Sequence, residues 1–151
     1  MNSLEKLYDI ALNENIEIDD FHWTNTKARI FKIDDNYSIA MDFSQLSNSI
    51  EEKEILAEEL GHYYCNALYP ISAPVELIRK CELRALKWAY SILVPYKKLK
   101  QKINECLDIY ELAEYFDVDD EYMKNCINFY IEKYGLFWIN QKGVIYGFST
   151  L

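Results

Sequence analysis

The sequence predicts an α+β fold, a small antiparallel sheet packed on helices, and three observations carry that reading. Alternating apolar residues come early, helical periodicity dominates after residue 49, and no repeated strand-helix alternation suggests a parallel sheet. With 151 residues, 50% of them hydrophobic, the chain can bury a core of domain size.

Each element follows from local signals. SLEKLYDIALNEN places Leu4, Leu7, Tyr8 and Leu12 on one helical face, with Ser3 as the cap. ARIFKIDDNYSIAMDF reads as two alternating strands joined at Asp34, Asp35 and Asn36, which favour tight turns. Ser49 followed three residues later by Glu52 has capping-box spacing; it opens a helix predicted to run to about Leu68, where Tyr69-Pro70 stops it. A third helix follows Pro74 and ends near Pro95. Two or three shorter helices fill 96–134 up to Gly135, and LFWINQKGVIYGF reads as a closing hairpin around Gln141, Lys142 and Gly143. The expected organisation is an α+β core over 1–95 and a helical subdomain with its hairpin over 96–151, together one compact unit.

Composition excludes several functions. The net charge of −9, from 16 basic and 25 acidic residues, has the wrong sign for wrapping a phosphate backbone, so no nucleic-acid partner is expected. No apolar run suits a membrane, and MNSLEKLYDI lacks the pattern of a signal peptide. A cytoplasmic monomer without a membrane partner is the expectation. Cys65, Cys81, Cys106 and Cys126 stand singly, with no C-x-x-C pair, and read as reduced structural residues. His22 and His62 are the only histidines, so a three-histidine metal site is excluded.

The chemistry centres on ILAEELGHYY, residues 55–64, where Glu58-Glu59-Leu60-Gly61-His62 differs by one letter from the His-Glu-x-x-His of zinc proteases. On a helix, Glu58 and His62 stand one above the other and can share an ion. Glu59 is turned about 100° around the axis, the place of a base that takes a proton from water. Leu56, Leu60, Tyr63 and Ala67 form the opposite, core-facing stripe, and Gly61 leaves room for an approach beside the metal. Taken alone, the same letters also suit an ordinary amphipathic helix.

A second segment adds specificity. In CELRALKWAYSILVP, Glu82-x-x-Ala85-x-x-Trp88-Ala89 is followed six residues later by Pro95. Together the two segments resemble the signatures of the ImmA/IrrE family of metallopeptidases. The resemblance implies a zincin-like helical core, with Glu58, His62 and Glu82 as metal ligands and Glu59 as catalytic base. It implies zinc, to which the harder oxygen ligands make manganese or iron alternatives, and a protein substrate: a helix-turn-helix repressor of a phage or integrative mobile element. A catalytically inactive antirepressor that acts by binding is the alternative. Glu58 stands where the family pattern has histidine. Two carboxylates and one imidazole would formally neutralise a divalent ion, so a weaker and slower site than His-His-Glu is expected. His22 and Cys65 are conceivable further ligands, although a packed histidine and a structural cysteine are the simpler assignments.

Two expectations concern binding. IYELAEYFDVDDEYMKNCINFYIEKYG has the cadence of a helix-turn-helix, with Leu112 and Ala113 in its first helix, Val118 at the turn, Asp119 or Asp120 as cap, and Ile127 and Tyr130 facing inward. Residues 105–135 nevertheless carry nine acidic and two basic side chains, which favours a packed helical subdomain or a docking surface for a basic protein over DNA binding. Substrate peptides commonly add as a strand. The strand 37–43 is nearest in sequence to the metal helix, so Ser38, Ala40 and Asp42 are the expected substrate-binding positions, on a free edge.

Overall fold

A computed structural model describes residues 2–105, 108–135, 138–139 and 145–146. Two compact units are resolved, Met1–Ala89 and Tyr90–Leu151. The element order is α1 (Ser3–Asn13), β1 (Ile16–Asp20), β2 (Ala28–Ile33), β3 (Asn36–Met41), a 3-10 turn (Phe43–Gln45), α2 (Ser49–Tyr64), α3 (Val75–Leu93), α4 (Tyr96–Asn104), α5 (Ile109–Phe116), α6 (Asp120–Tyr134), β4 (Trp138–Ile139) and β5 (Ile145–Tyr146). The α+β class is therefore correct. No helix among the described residues is long and apolar enough to cross a membrane.

The sheet of the first unit is mixed, not antiparallel. Its order is β1-β3-β2, with β1 parallel and β2 antiparallel to β3. The sequence reading missed β1 because IEIDD offers only two alternating apolar residues before its acidic end, and only Ile16 is buried. β2 and β3 form the expected hairpin. Ile33 pairs with Asn36 across Asp34-Asp35, and Asp34 takes the left-handed backbone (φ 53°) that aspartate tolerates.

Both early caps fall one residue before their predicted positions. The Asn2 side chain accepts from Glu5 N–H while Glu5 reaches back to Asn2 N–H, completing a capping box on α1. Asn48, not Ser49, accepts from Glu51 N–H on α2 at 2.9 Å. Asparagine is at least as good a cap as serine, and each helix takes the cap whose backbone is extended. On α1, Leu7 and Ala11 are buried whereas Leu12 is 73% exposed, so the buried face is rotated from the predicted one. α2 ends at Tyr64, not near Leu68, because Asn66 turns left-handed (φ 49°) and Ala67 N–H bonds back to the His62 carbonyl.

Leu7, Ile39, Met41, Leu56, Ala57, Leu60 and Ala85 are among the fully buried residues of the first unit's core. Leu56, Leu60 and Ala67 of the predicted stripe are fully buried, and Tyr63 is half-buried. In the second unit, Ile127 and Tyr130 face inward as expected, Leu112, Ala113 and Val118 are also buried, and the Tyr130 hydroxyl donates to the Val94 carbonyl. Asp119 occupies the cap position of α6 without a side-chain capping bond. Gly135 ends that helix with φ 97°. β4 and β5 pair antiparallel; Gln141, Lys142 and Gly143 lie outside the described residues, as does Cys106. Cys65, Cys81 and Cys126 are free thiols.

Candidate metal centre

The site is assembled by α2, α3 and the connection between them. Glu58 and His62 lie one turn apart on α2, and α3 supplies Glu82. Gly61 lets the helices meet: a Cβ there would lie 3.0 Å from Ala85 Cα and nearer still to the Ala85 carbonyl oxygen. The room expected beside the metal is thus filled by α3 backbone. Ala85 is three residues after Glu82 on a shared face, so the point of closest helix approach stands beside the site. Arg84 adds a second tie by donating to the Cys65 carbonyl at the end of α2.

Among the described residues, one donor atom each from Glu58, His62 and Glu82 lies within 4.8 Å of the others. His62 Nε2 faces Glu82 Oε2 at 3.4 Å. The other ring nitrogen, Nδ1, is 2.9 Å from the Ala67 carbonyl, which can only accept a hydrogen bond. In the neutral ring Nδ1 therefore carries the proton, and Nε2 presents a lone pair to the cluster.

The electrostatics suit a cation. Burial, then the adjacent Glu82 carboxylate, raises the Glu58 pKa, whereas the contact with His62 holds Glu82 below the usual carboxylate range. Burial works against charging His62, but Glu82 and the Ala67 carbonyl outweigh it and the net shift is upward. Two half-buried carboxylates beside a ring of fixed tautomer repel one another until a positive charge joins them. This donor set fits a divalent ion.

Glu59 faces the same cavity, of about 230 Å³, which is also lined by residues 26–30, Glu58, His62, Tyr69 and Glu82. Its Oε2 accepts from the Ile30 backbone N–H at 2.8 Å. Burial pushes its pKa up to about 7, against the opposing pull of His62 and the Ile30 N–H. All four residues singled out on α2 and α3 are thus neighbours.

Ser38, Ala40 and Asp42 are placed otherwise. β3 is the central strand, with Ser38 and Ala40 paired on both sides, so it has no free edge. Asp42 is buried, and its carboxylate accepts from Trp23 N–H, Ser44 N–H and Gln45 Nε2, organising the turn out of β3. The strand that borders the cavity is β2, which among the described residues pairs with β3 alone and gives its Ile30 N–H to Glu59. A local alternation pattern cannot say which strand of a sheet lies outermost, and the unrecognised β1 covers the second side of β3.

His22 and Cys65 are outside the cluster. His22 Nδ1 is 3.3 Å from Asp42 Oδ1, and Cys65 Sγ donates to the Arg84 carbonyl at 3.6 Å. Tyr69 and Arg29, which do belong to the cavity wall, escaped the sequence reading. Tyr69 registered only as the residue before a helix-stopping proline, and Arg29 only as one polar position in a strand.

Searches of curated proteins and of solved structures give no match. The profile of the IrrE N-terminal-like domain, peptidase family M78, matches residues 11–126. That span includes the three-stranded sheet, the Glu58-Glu59-x-x-His62 helix and the Glu82 helix. The chain is a member of the ImmA/IrrE family, within the M78 metallopeptidases.

Proposed function

We propose that this protein is a metal-dependent endopeptidase whose substrate is another protein, a helix-turn-helix repressor of a phage or integrative element. One observation carries the reading: Glu58, His62 and Glu82 converge in a cavity that also holds Glu59 and borders a strand paired, among the described residues, on one side only. Glu58, His62 and Glu82 would hold the ion, zinc foremost with manganese or iron as alternatives, and it would supply Lewis acidity toward a peptide carbonyl and toward water.

The chain's own groups do the rest. Glu59 is held by one oxygen, leaving Oε1 to take the proton of the attacking water, and a pKa near neutrality suits both receiving that proton and returning it. Water oxygen bonds to the carbonyl carbon, the carbon-nitrogen bond breaks, and Glu59 passes the proton to the leaving nitrogen. An extended substrate segment lies along β2, where main-chain bonds orient the scissile peptide without demanding one sequence. A further cavity of about 390 Å³, lined by residues 29–33 and 68–71, continues along the same strand. The helical core is zincin-like in this reading, and the α5-α6 pair is the helix-turn-helix-like segment, acidic and without a DNA role.

The second reading is an antirepressor that binds and no longer cleaves. It is favoured by Glu58 standing where the family pattern has histidine, and by the bond that ties Glu59 to Ile30. Glu59→Gln separates the two. Loss of repressor cleavage with metal content and repressor binding retained supports the enzyme; antirepression undiminished in that variant supports the binder.

A further inference from the structure

The connection Cys65–Pro70 does more than join two helices. Its left-handed residue, Asn66, reverses the chain so that Ala67 presents its carbonyl to His62 Nδ1. Two residues later Tyr69 lies beside the site, its ring edge-on to His62 with centroids 6.0 Å apart. The Tyr69 hydroxyl donates to Glu82 Oε1. Glu82 is thereby divided: one oxygen is engaged by the phenol and the other, Oε2, faces His62 at 3.4 Å. Nothing in the ligand signatures requires a hydroxyl at this place.

Tyr69 is itself held from the strand. Arg29 Nη2 donates to the Tyr69 carbonyl at 2.9 Å, and the guanidinium carbon stands 5.0 Å from the centre of the Tyr69 ring. A bidentate claim on one residue, through its carbonyl and its π face, restricts both backbone and ring. Arg29, Tyr69 and Glu82 therefore form a chain of contacts from the edge strand β2 to the third ligand.

We propose that Tyr69 is the positioning residue of the metal centre: its hydroxyl occupies Glu82 Oε1, so that Glu82 offers the cluster a single oxygen, and Arg29 keeps Tyr69 in place. The inference rests on the metal-site reading given above. Single-oxygen ligation suits a low-coordination ion such as zinc, whereas a carboxylate free to bind through both oxygens suits ions that take more oxygen ligands. Groups in this outer position commonly matter to metal affinity by about 10–100-fold. Tyr69 accordingly sets selectivity as well as affinity.

The test uses the full chain and Tyr69→Phe, which keeps the ring and removes only the hydroxyl. Dissociation constants for Zn²⁺ and Mn²⁺ are measured by competition with a chromophoric chelator, and thermal unfolding of the chelator-treated protein monitors the fold. Zinc should bind about tenfold or more weakly in the variant, with manganese affinity falling less, so that the zinc preference narrows. In Glu82→Gln, adding Tyr69→Phe should produce no further loss. Unchanged zinc affinity overturns the proposal while leaving the metal centre intact. Equal losses for both ions also overturn it, because Tyr69 then only packs the site. Wild-type protein that binds neither ion overturns the metal reading, and this proposal with it.

Discussion

Gly61→Ala sets two physical effects against each other. In a helix interior alanine is favoured over glycine by about 1 kcal/mol, so propensity alone predicts a more stable protein. The structure predicts the reverse. The new Cβ would stand 3.0 Å from both Cα and the carbonyl carbon of Ala85 and inside contact distance of its oxygen. These are backbone atoms of a packed helix, and no rotamer change relieves the clash. Overpacking of this kind costs about 1–3 kcal/mol, and more where the obstacle is backbone. The expected balance is a net loss of about 1–2 kcal/mol, a fall in Tm of about 2–8 °C for a chain of this size. Separating α2 from α3 also moves Glu82 away from Glu58 and His62, whose donor atoms lie within 4.8 Å of one another. Because ligand distances tolerate only about 0.2 Å, metal affinity should fall by more than the stability loss explains. Calorimetric unfolding with and without chelator, together with metal titration, measures both consequences. A variant with raised Tm and wild-type metal affinity would refute the argument that Gly61 exists for helix approach.

The remaining predictions concern capping and charge. Asn48→Ala should destabilise the protein by about 1 kcal/mol through loss of the bond to Glu51 N–H, whereas Ser49→Ala should change stability little; urea unfolding of both variants checks the order. In metal-free protein the upward shifts of Glu58, Glu59 and His62 all act in one direction. The folded state binds more protons than the unfolded state between about pH 5 and 8, so stability should fall as pH rises through that window. Glu58→Gln should flatten that dependence and raise metal-free stability at pH 8 by on the order of 1 kcal/mol, allowing for partial exposure and for its coupling to Glu82. A steeper loss with pH in Glu58→Gln than in wild type would contradict the assignment of charge to this cluster. The same substitution should weaken metal binding, which a titration at pH 8 reads directly.

Sequence alone determined what depends on neighbours along the chain. The i,i+4 spacing of Glu58 and His62, the end of α3 before Pro95, the β2-β3 hairpin and the α5-α6 pair are all local patterns, and each is present, whereas α2 stops at Tyr64, ahead of Pro70. The Glu82-x-x-Ala85 signature likewise pointed to a ligand from a second helix. Only the tertiary structure decided which groups meet. Parallel pairing of β1 with β3 joins residues about 20 apart, and it turns the strand expected at the edge into the centre of the sheet. That pairing reassigns the open side to β2, so the cleft is bordered by Arg29 and Ile30 instead of Ser38 and Ala40. Gly61 was legible as room beside the metal but not as the contact that brings Ala85, and with it Glu82, to α2. Tyr69 and the Ala67 carbonyl carry no motif because their contribution is one hydroxyl and one backbone oxygen at the right distance. Periodicity encodes the face on which a residue lies; what stands across from that face is set by packing between segments distant in sequence.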